Sequence, residues 1–140
     1  MRIICLDIGS KRIGVAGSDP LGLTAQGLCV IERKGDAVDF KAIANIILER
    51  DAEKMIIGLP LDEEGKVGVS AKRILKFIDR IKGYLEGRKV EVDIETWDER
   101  YSTAIAEERL INADVSRSKR RKVIDKMAAV VILEDYLAAH

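Results

Sequence analysis

The chain predicts an α/β fold, a mixed five-stranded sheet with helices on its faces, on three observations. Three apolar, β-branched segments come first, separated only by turn residues. The hydrophobic period then lengthens to that of a helix. Two more strand-like segments follow, each reached through a helix. Short connections favour antiparallel pairing among the first three strands, and helical crossovers favour parallel pairing for the last two.

Residues 2 to 8, 12 to 18 and 27 to 32 are the opening strands, joined at "GSK" and "DPLGLTAQ", where glycine and proline signal turns. Beyond "KGD", Val38, Phe40, Ile43, Ile46 and Ile47 suit one side of a helix over 36 to 50. "KMIIGLP" is a short continuous apolar strand stopped by Pro60, as expected of a parallel strand buried on both faces. "LDEEGKVGVS" is a polar loop, after which Ile74, Leu75, Phe77, Ile78, Ile81 and Leu85 mark a second helix with a basic outer face. "VEVDIETW" alternates as a fifth strand, with Val90, Val92 and Ile94 on one face. Helices over roughly 103 to 112 and 118 to 138 close the chain. This order fits the RNase H-like fold. At 140 residues, without repeats or linkers, residues 1–140 are expected to form a single domain.

Composition excludes several kinds of chemistry. Hydrophobic residues make up 47% and charged residues 34%, a soluble globular balance, and 24 bases cancel 24 acids, so attraction to a polyanion must come from where the charges sit. No apolar run is long enough to span a membrane and no signal-peptide pattern opens the chain, so a cytoplasmic protein without membrane partners is expected. Cys5 and Cys29 lie in apolar segments without a CxxC pair, and are read as buried reduced thiols. His140 is the only histidine and the last residue, where fraying is expected; Ser-His, Cys-His and His-ligated zinc chemistry are thereby removed. Carboxylates, lysines and backbone groups remain.

Three acids stand in costly places. Asp7 ends an apolar strand, where a buried unpaired carboxylate costs several kcal/mol, against the roughly 1.5–3 kcal/mol a leucine would gain there. Taken alone it could equally cap a turn or pair with Lys11 or Arg12. Asp98 and Glu99 follow the fifth strand, where acidic residues also suit a helix entry that Ser102 or Thr103 could cap. Asp125 shares a helix face with Ala129, Ile132 and Tyr136, too far into the helix for an easy capping role. Acids at these three places could converge across such a sheet. Converging carboxylates raise each other's pKa unless a cation lies between them, and Mg²⁺ or Mn²⁺ suits an all-oxygen site.

Gly9 and Gly14 have the spacing that opens a phosphate-binding P-loop, but Val15-Ala16 stands where Lys-Ser/Thr is required. Two readings remain: a tight hairpin in which glycine permits positive φ, or close backbone approach to phosphate aided by Lys11 and Arg12. "RSKRRK", with Arg117, Lys119, Arg120, Arg121 and Lys122, is either a solvated helix face or a clamp on a nucleic-acid backbone. Its place just before Asp125 favours the clamp. Trp97, beside the acids, is assigned to the core ahead of a stacking or interface role.

Together "LDIGSKRIGVAGSDPLGLTA", "IIGLPL", "DERYSTAIAEERL" and "KRRKVIDKMAAVVIL" resemble, in order and over nearly the whole chain, the YqgF family, also called RuvX. Its members are described as Holliday junction resolvases and as pre-16S rRNA nucleases. The chain departs from the usual family pattern at "DEEGKVG", where "MDGS" is common, and at "YST", where "LTT" is common. Both departures bear on substrate contacts or loop order more than on the acids.

The resemblance implies a nuclease with divalent-metal chemistry on a phosphodiester of structured nucleic acid. Attack by an activated water would leave a 5′-phosphate and a 3′-hydroxyl. By position the catalytic acids fall on Asp7, Glu99 and Asp125, with Asp98 kept as a further metal ligand; Glu99 is preferred to Asp98, which points to the other side of an extended segment. Lys11, Arg12, Arg100 and the 117 to 122 bases would hold the backbone. The 5′ end of pre-16S rRNA is the first candidate substrate. The alternatives are a four-way DNA junction and a non-catalytic RNA-binding assembly factor. A monomer suffices for trimming an end, whereas paired cuts in a junction call for a homodimer. Actin-like ATPases and sugar kinases share the Asp-x-Gly hairpin, but need two such domains to enclose ATP.

Overall fold

A computed structural model describes residues 1–99 and 117–140; in the helix that begins at 117, side chains are described for Ile124 and for residues 126–140. The helix expected over 103 to 112 and Arg100 lie outside the described residues, as do the side chains of the 117 to 122 bases and of Asp125.

Strands β1 (Ile3–Ile8), β2 (Arg12–Ser18) and β3 (Ala25–Glu32) form an antiparallel meander, and α1 (Asp36–Arg50) crosses to β4 (Lys54–Leu59). Helix α2 (Val69–Gly87) then leads to β5 (Asp93–Asp98), and α3 (Arg117–Ala139) ends the chain. The sheet order is β3-β2-β1-β4-β5, with β1 antiparallel to β2 and parallel to β4, and β4 parallel to β5. This is the mixed five-stranded sheet read from the sequence.

Period-two alternation sorts the core into two layers. Ile4, Leu6, Ile8, Ile13, Val15, Met55 and Ile57 face α1 and α2, where Phe40, Ile43, Phe77 and Ile81 meet them. Ile3, Cys5, Ala16 and Ile56 face α3, against Ala129, Ile132, Leu133 and Tyr136. β1 and β4 are therefore covered on both sides and read as continuous apolar runs. The meander is tied at its open end by Ser18, a buried residue whose hydroxyl accepts from the Ile3 amide at 2.9 Å. Ser18→Ala leaves that N–H without an acceptor; a loss of about 1–3 kcal/mol is expected, read as a lower urea midpoint at unchanged slope.

Several local expectations need correction. Val38 is exposed, and the buried position beside it is Asp39. Its carboxylate accepts from the amides of Lys34 (3.0 Å) and Gly35 (3.4 Å), donors the helix start would otherwise leave unmade, and lies 3.7 Å from the Arg33 guanidinium. The fifth strand begins at Asp93, not Val90: Lys89 takes a left-handed φ of 56° and the Val90 amide returns to the Leu85 carbonyl at 3.0 Å, so Val90 and Val92 pack on the core before pairing starts. Helix α2 starts earlier than its apolar stripe, at Val69, and β3 starts at Ala25. Cys5 is fully buried but Cys29, on edge strand β3, is only half-buried. His140 is packed: its ring stacks on Tyr136 at 4.1 Å, and its Nδ1 lies 2.8 Å from the Tyr136 carbonyl oxygen. Trp97 joins the α3-side core as a half-buried residue, edge-on to Tyr136, with Nε1 donating to Asp135 at 2.7 Å.

Candidate active site

Three parallel strands, β1, β4 and β5, end at one edge of the sheet, and the sequence puts Asp7 and Glu99 there. Chain connections run outward in opposite directions from between β1 and β4, the kind of switch point at which open α/β sheets bind ligands. Asp7 follows Ile3 and Cys5 on the α3 face. Asp98 is the last residue of β5, and one residue later the Glu99 amide donates to the Leu59 carbonyl at 3.2 Å, continuing the ladder. Alternation therefore returns Glu99 to the face of Glu95 and Trp97, toward α3, and turns Asp98 to the other side.

For the Glu99 carboxyl to reach Asp7 it must cross β4, since β5 and β1 are two strand spacings apart, about 9–10 Å. Gly58 makes the crossing possible. A Cβ there would stand 2.7 Å from Glu99 Oε2 and 2.8 Å from Ile132 Cδ1. On the other side of Asp7, its partner across β2 is Gly14, so no side chain stands opposite it. Sequence reasoning missed Gly58, although a glycine inside an apolar strand was a usable signal of close approach. Gly58→Ala is expected to displace Glu99 or Ile132, cutting turnover by about tenfold or more and lowering stability by about 1–3 kcal/mol, read by a cleavage assay beside thermal melts.

The two carboxyls are hydrogen-bonded to each other. Burial, then the charge of Asp7 and the bond to it, then the charge of Asp98, push the Glu99 carboxyl up to about 9. Near neutral pH Glu99 therefore holds a proton and donates it toward Asp7. Burial first, then the fields of Asp7 and Glu99, push the neighbouring Cys5 thiol well up, which keeps it an inert thiol.

An all-oxygen pair that must share a proton in the absence of a cation fits a hard divalent ion such as Mg²⁺ or Mn²⁺. Among the described residues no group of three or more His, Cys, Asp or Glu side chains is arranged to hold a metal. The third acid, Asp125, sits in α3 one turn before Ala129, and its side chain lies outside the described residues.

The β1–β2 turn beside Asp7 is tight: the Gly9 amide donates to the Arg12 carbonyl at 2.8 Å. A Cβ on Gly9 would stand 2.8 Å from that same oxygen, so glycine is required for closeness; the positive φ values fall instead on Gly22, Gly35 and Gly65 among the described glycines. Lys11 is exposed in this turn and Arg12 is half-buried at the start of β2.

Strand order, two-sided helical cover and an acidic pair at the carboxyl ends of the parallel strands define an RNase H-like fold. Solved structures agree on the fold. The fowlpox virus resolvase, in complex with substrate Holliday junction DNA, matches with a TM-score of 0.57 at 13% identity, over 99% of this chain and 98% of that one. RuvC of T. thermophilus, in complex with a Holliday junction substrate, matches with a TM-score of 0.57 at 12% identity, over 99% and 95%.

The family model described as "RuvX: Holliday junction resolvase" matches residues 1–139, and the chain belongs to that family. A protein of Desulforamulus reducens named "Putative pre-16S rRNA nuclease" is 53% identical over 98% of this chain and 96% of its own length. One of the same name from Clostridioides difficile is 46% identical over 97% and 93%. Family description and relatives' names indicate a nuclease, a hydrolase of phosphodiester bonds. Among the described residues no helix is long and apolar enough to cross a membrane.

Proposed function

We propose that the chain is a single-domain, divalent-metal-dependent nuclease of the cytoplasm that processes the 5′ end of pre-16S rRNA. The observation that carries this reading is the hydrogen-bonded Asp7–Glu99 pair at the carboxyl edge of the parallel strands. The relatives' names supply the substrate. Asp7, Glu99 and Asp125 are assigned as catalytic metal ligands, with Asp98 close enough to raise the Glu99 pKa and add charge at the rim.

Asp7, Glu99 and Asp125 would hold a divalent cation, which would supply Lewis-acid chemistry for hydrolysis at phosphorus, water adding there and the 3′ oxygen leaving with a proton. The chain's own part is to keep side chains out of the β4 crossing at Gly58, to hold the Glu99 proton toward Asp7 in a form that a bound cation would displace, and to orient the strand. Lys11, Arg12, Arg100 and the 117 to 122 bases are assigned to the backbone of the substrate. A monomer suffices for this trimming.

Cleavage of a four-way DNA junction is the second reading, favoured by the family's description, and it calls for a homodimer making paired cuts. Wild type and Asp7→Asn incubated with labelled pre-16S 5′ leaders and with four-way junctions, in Mg²⁺, Mn²⁺ or EDTA, test both. Metal-dependent cutting of the leader, lost in the variant, is the expected result; cutting of the junction alone replaces the first substrate by the second. A folded wild type that binds the leader but cuts neither substrate points to the RNA-binding assembly factor.

A further inference from the structure

On the opposite side of the same sheet edge, behind the carboxylates, lies a cavity of about 390 Å³ that none of the residues assigned above lines. Gly9 and Ser10, which follow β1, and Pro60, which follows β4, form its rim toward the acids. Phe77 and Ile74 of α2 form its floor, and Arg33, Arg73, Lys76 and Arg80 surround it; no carboxylate of the described residues lines it.

The bases differ in what holds them. Arg80 is committed to Asp36, with Nε donating at 2.7 Å. Arg33 is fixed by the buried Asp39 on one side and donates Nη1 to the Gly9 carbonyl at 2.9 Å on the other, with its guanidinium 5.6 Å from the Phe77 ring centre. Arg73 and Lys76 are exposed on α2, and neither has an acidic partner among the described residues. The molecule as a whole is neutral, with 24 bases and 24 acids, so Arg73 and Lys76, added to the paired Arg33 and Arg80, leave this concave site with local positive charge among the described residues.

We propose that this cavity is a subsite for the phosphate backbone of the substrate strand, flanking the phosphodiester that is cut; the proposal rests on the nuclease reading. Arg73 and Lys76 supply the charge, and Arg33, already oriented by Asp39, supplies a rigid donor beside Gly9. Asp7 precedes Gly9 by two residues, about 7 Å of extended chain, so a strand lying over the sheet edge meets the acids and the cavity within a few nucleotides. The hydroxyls of Ser10 and Ser70 add neutral donors for phosphate or ribose, and Ile74 and Phe77 give the sugar an apolar floor. Backbone contacts position a strand without reading its sequence, so either nucleic acid satisfies this chemistry.

The test is a binding titration in the Asp7→Asn background with EDTA, using a labelled pre-16S leader and a four-way DNA junction across a range of salt concentrations. Arg73→Ala/Lys76→Ala is compared with Lys72→Ala/Lys82→Ala, exposed lysines of the same helix that do not line the cavity. Melting curves confirm that each is folded. The first pair is expected to weaken binding of at least one probe by about tenfold, and to reduce the slope of log K against log salt by roughly 1–2, whereas the second pair leaves both near the parent values.

Equal losses from the two pairs, or unchanged affinity and slope in the first, overturn the subsite. So does saturable binding of adenosine monophosphate that requires Arg73 and Lys76 while the nucleic acids bind as before, which would make the cavity a free-nucleotide site. Cleavage by the wild-type protein in Mg²⁺ or Mn²⁺ is measured separately. Loss of the subsite with cutting intact and failure of the nuclease reading are therefore different results.

Discussion

Glu99→Gln is expected to raise the thermal stability of the metal-free protein at neutral and mildly alkaline pH while cutting nuclease turnover by about three orders of magnitude. The two effects share a cause. Below about 4.5, the ordinary value of the group, the carboxyl is protonated in folded and unfolded chains alike and does not favour either. Above it the unfolded chain releases the proton, while the folded chain keeps it until about 9. In that window the folded state binds more protons, so the stability contributed by this site falls as pH rises.

A glutamine has no proton to lose and still donates to Asp7, so the variant lacks this slope. Its melting temperature in EDTA should exceed that of wild type by about 4 °C or more near the upper end of the window. On the proposed mechanism turnover falls because the neutral amide could not complete the charge that would hold a divalent cation, and each lost factor of ten is about 1.4 kcal/mol of transition-state stabilisation. Asp7→Asn should lose activity to a similar extent. Melts of wild type and Glu99→Gln from acid to alkaline pH, with EDTA and then with Mn²⁺, check the account. A variant that melts lower than wild type throughout would show Glu99 to be a structural group.

Asp39→Ala is expected to destabilise the fold by roughly 2–4 kcal/mol, the largest stability loss anticipated here from a polar side chain. The carboxylate is fully buried, and its removal leaves two amides at the start of α1 without acceptors and the Arg33 guanidinium without its counter-ion. Most of the loss belongs to the amides, because the ion pair is 3.7 Å long and Arg33 retains 25% of its side-chain exposure. Asp39→Asn keeps an acceptor oxygen and should lose less. Urea unfolding of the two variants separates these contributions. On the proposed subsite, affinity for nucleic acid should fall most in Asp39→Ala, where Arg33 loses the side chain that holds it beside Gly9.

The order of elements was legible because each carries its own period: β1 and β4 as continuous apolar runs, α1 and α2 as stripes, and the fifth strand as the alternation of "VEVDIETW". Asp7 was legible as a candidate, because a carboxylate at the end of an apolar strand contradicts its surroundings, whereas Glu99 came in through the family resemblance. Alternation along β5 also separated Glu99 from Asp98, a question of parity that needs no partner strand.

What the sequence could not decide was which side chains meet across strands. Gly58 counts only because β4 lies between β1 and β5, and sheet order is not a local property of any segment. Asp39 lies outside the apolar stripe read for α1, yet its carboxylate is buried under two amides and beside Arg33. The cavity behind the acids joins residues of β1 and α2 to residues that follow β1, β3 and β4, which no spacing links. Local pattern determined the elements and the candidate charges, because periodicity and burial cost act within one segment. Tertiary structure decided their company, because long-range register alone places Glu99 on Asp7 and turns the basic face of α2 toward the same edge.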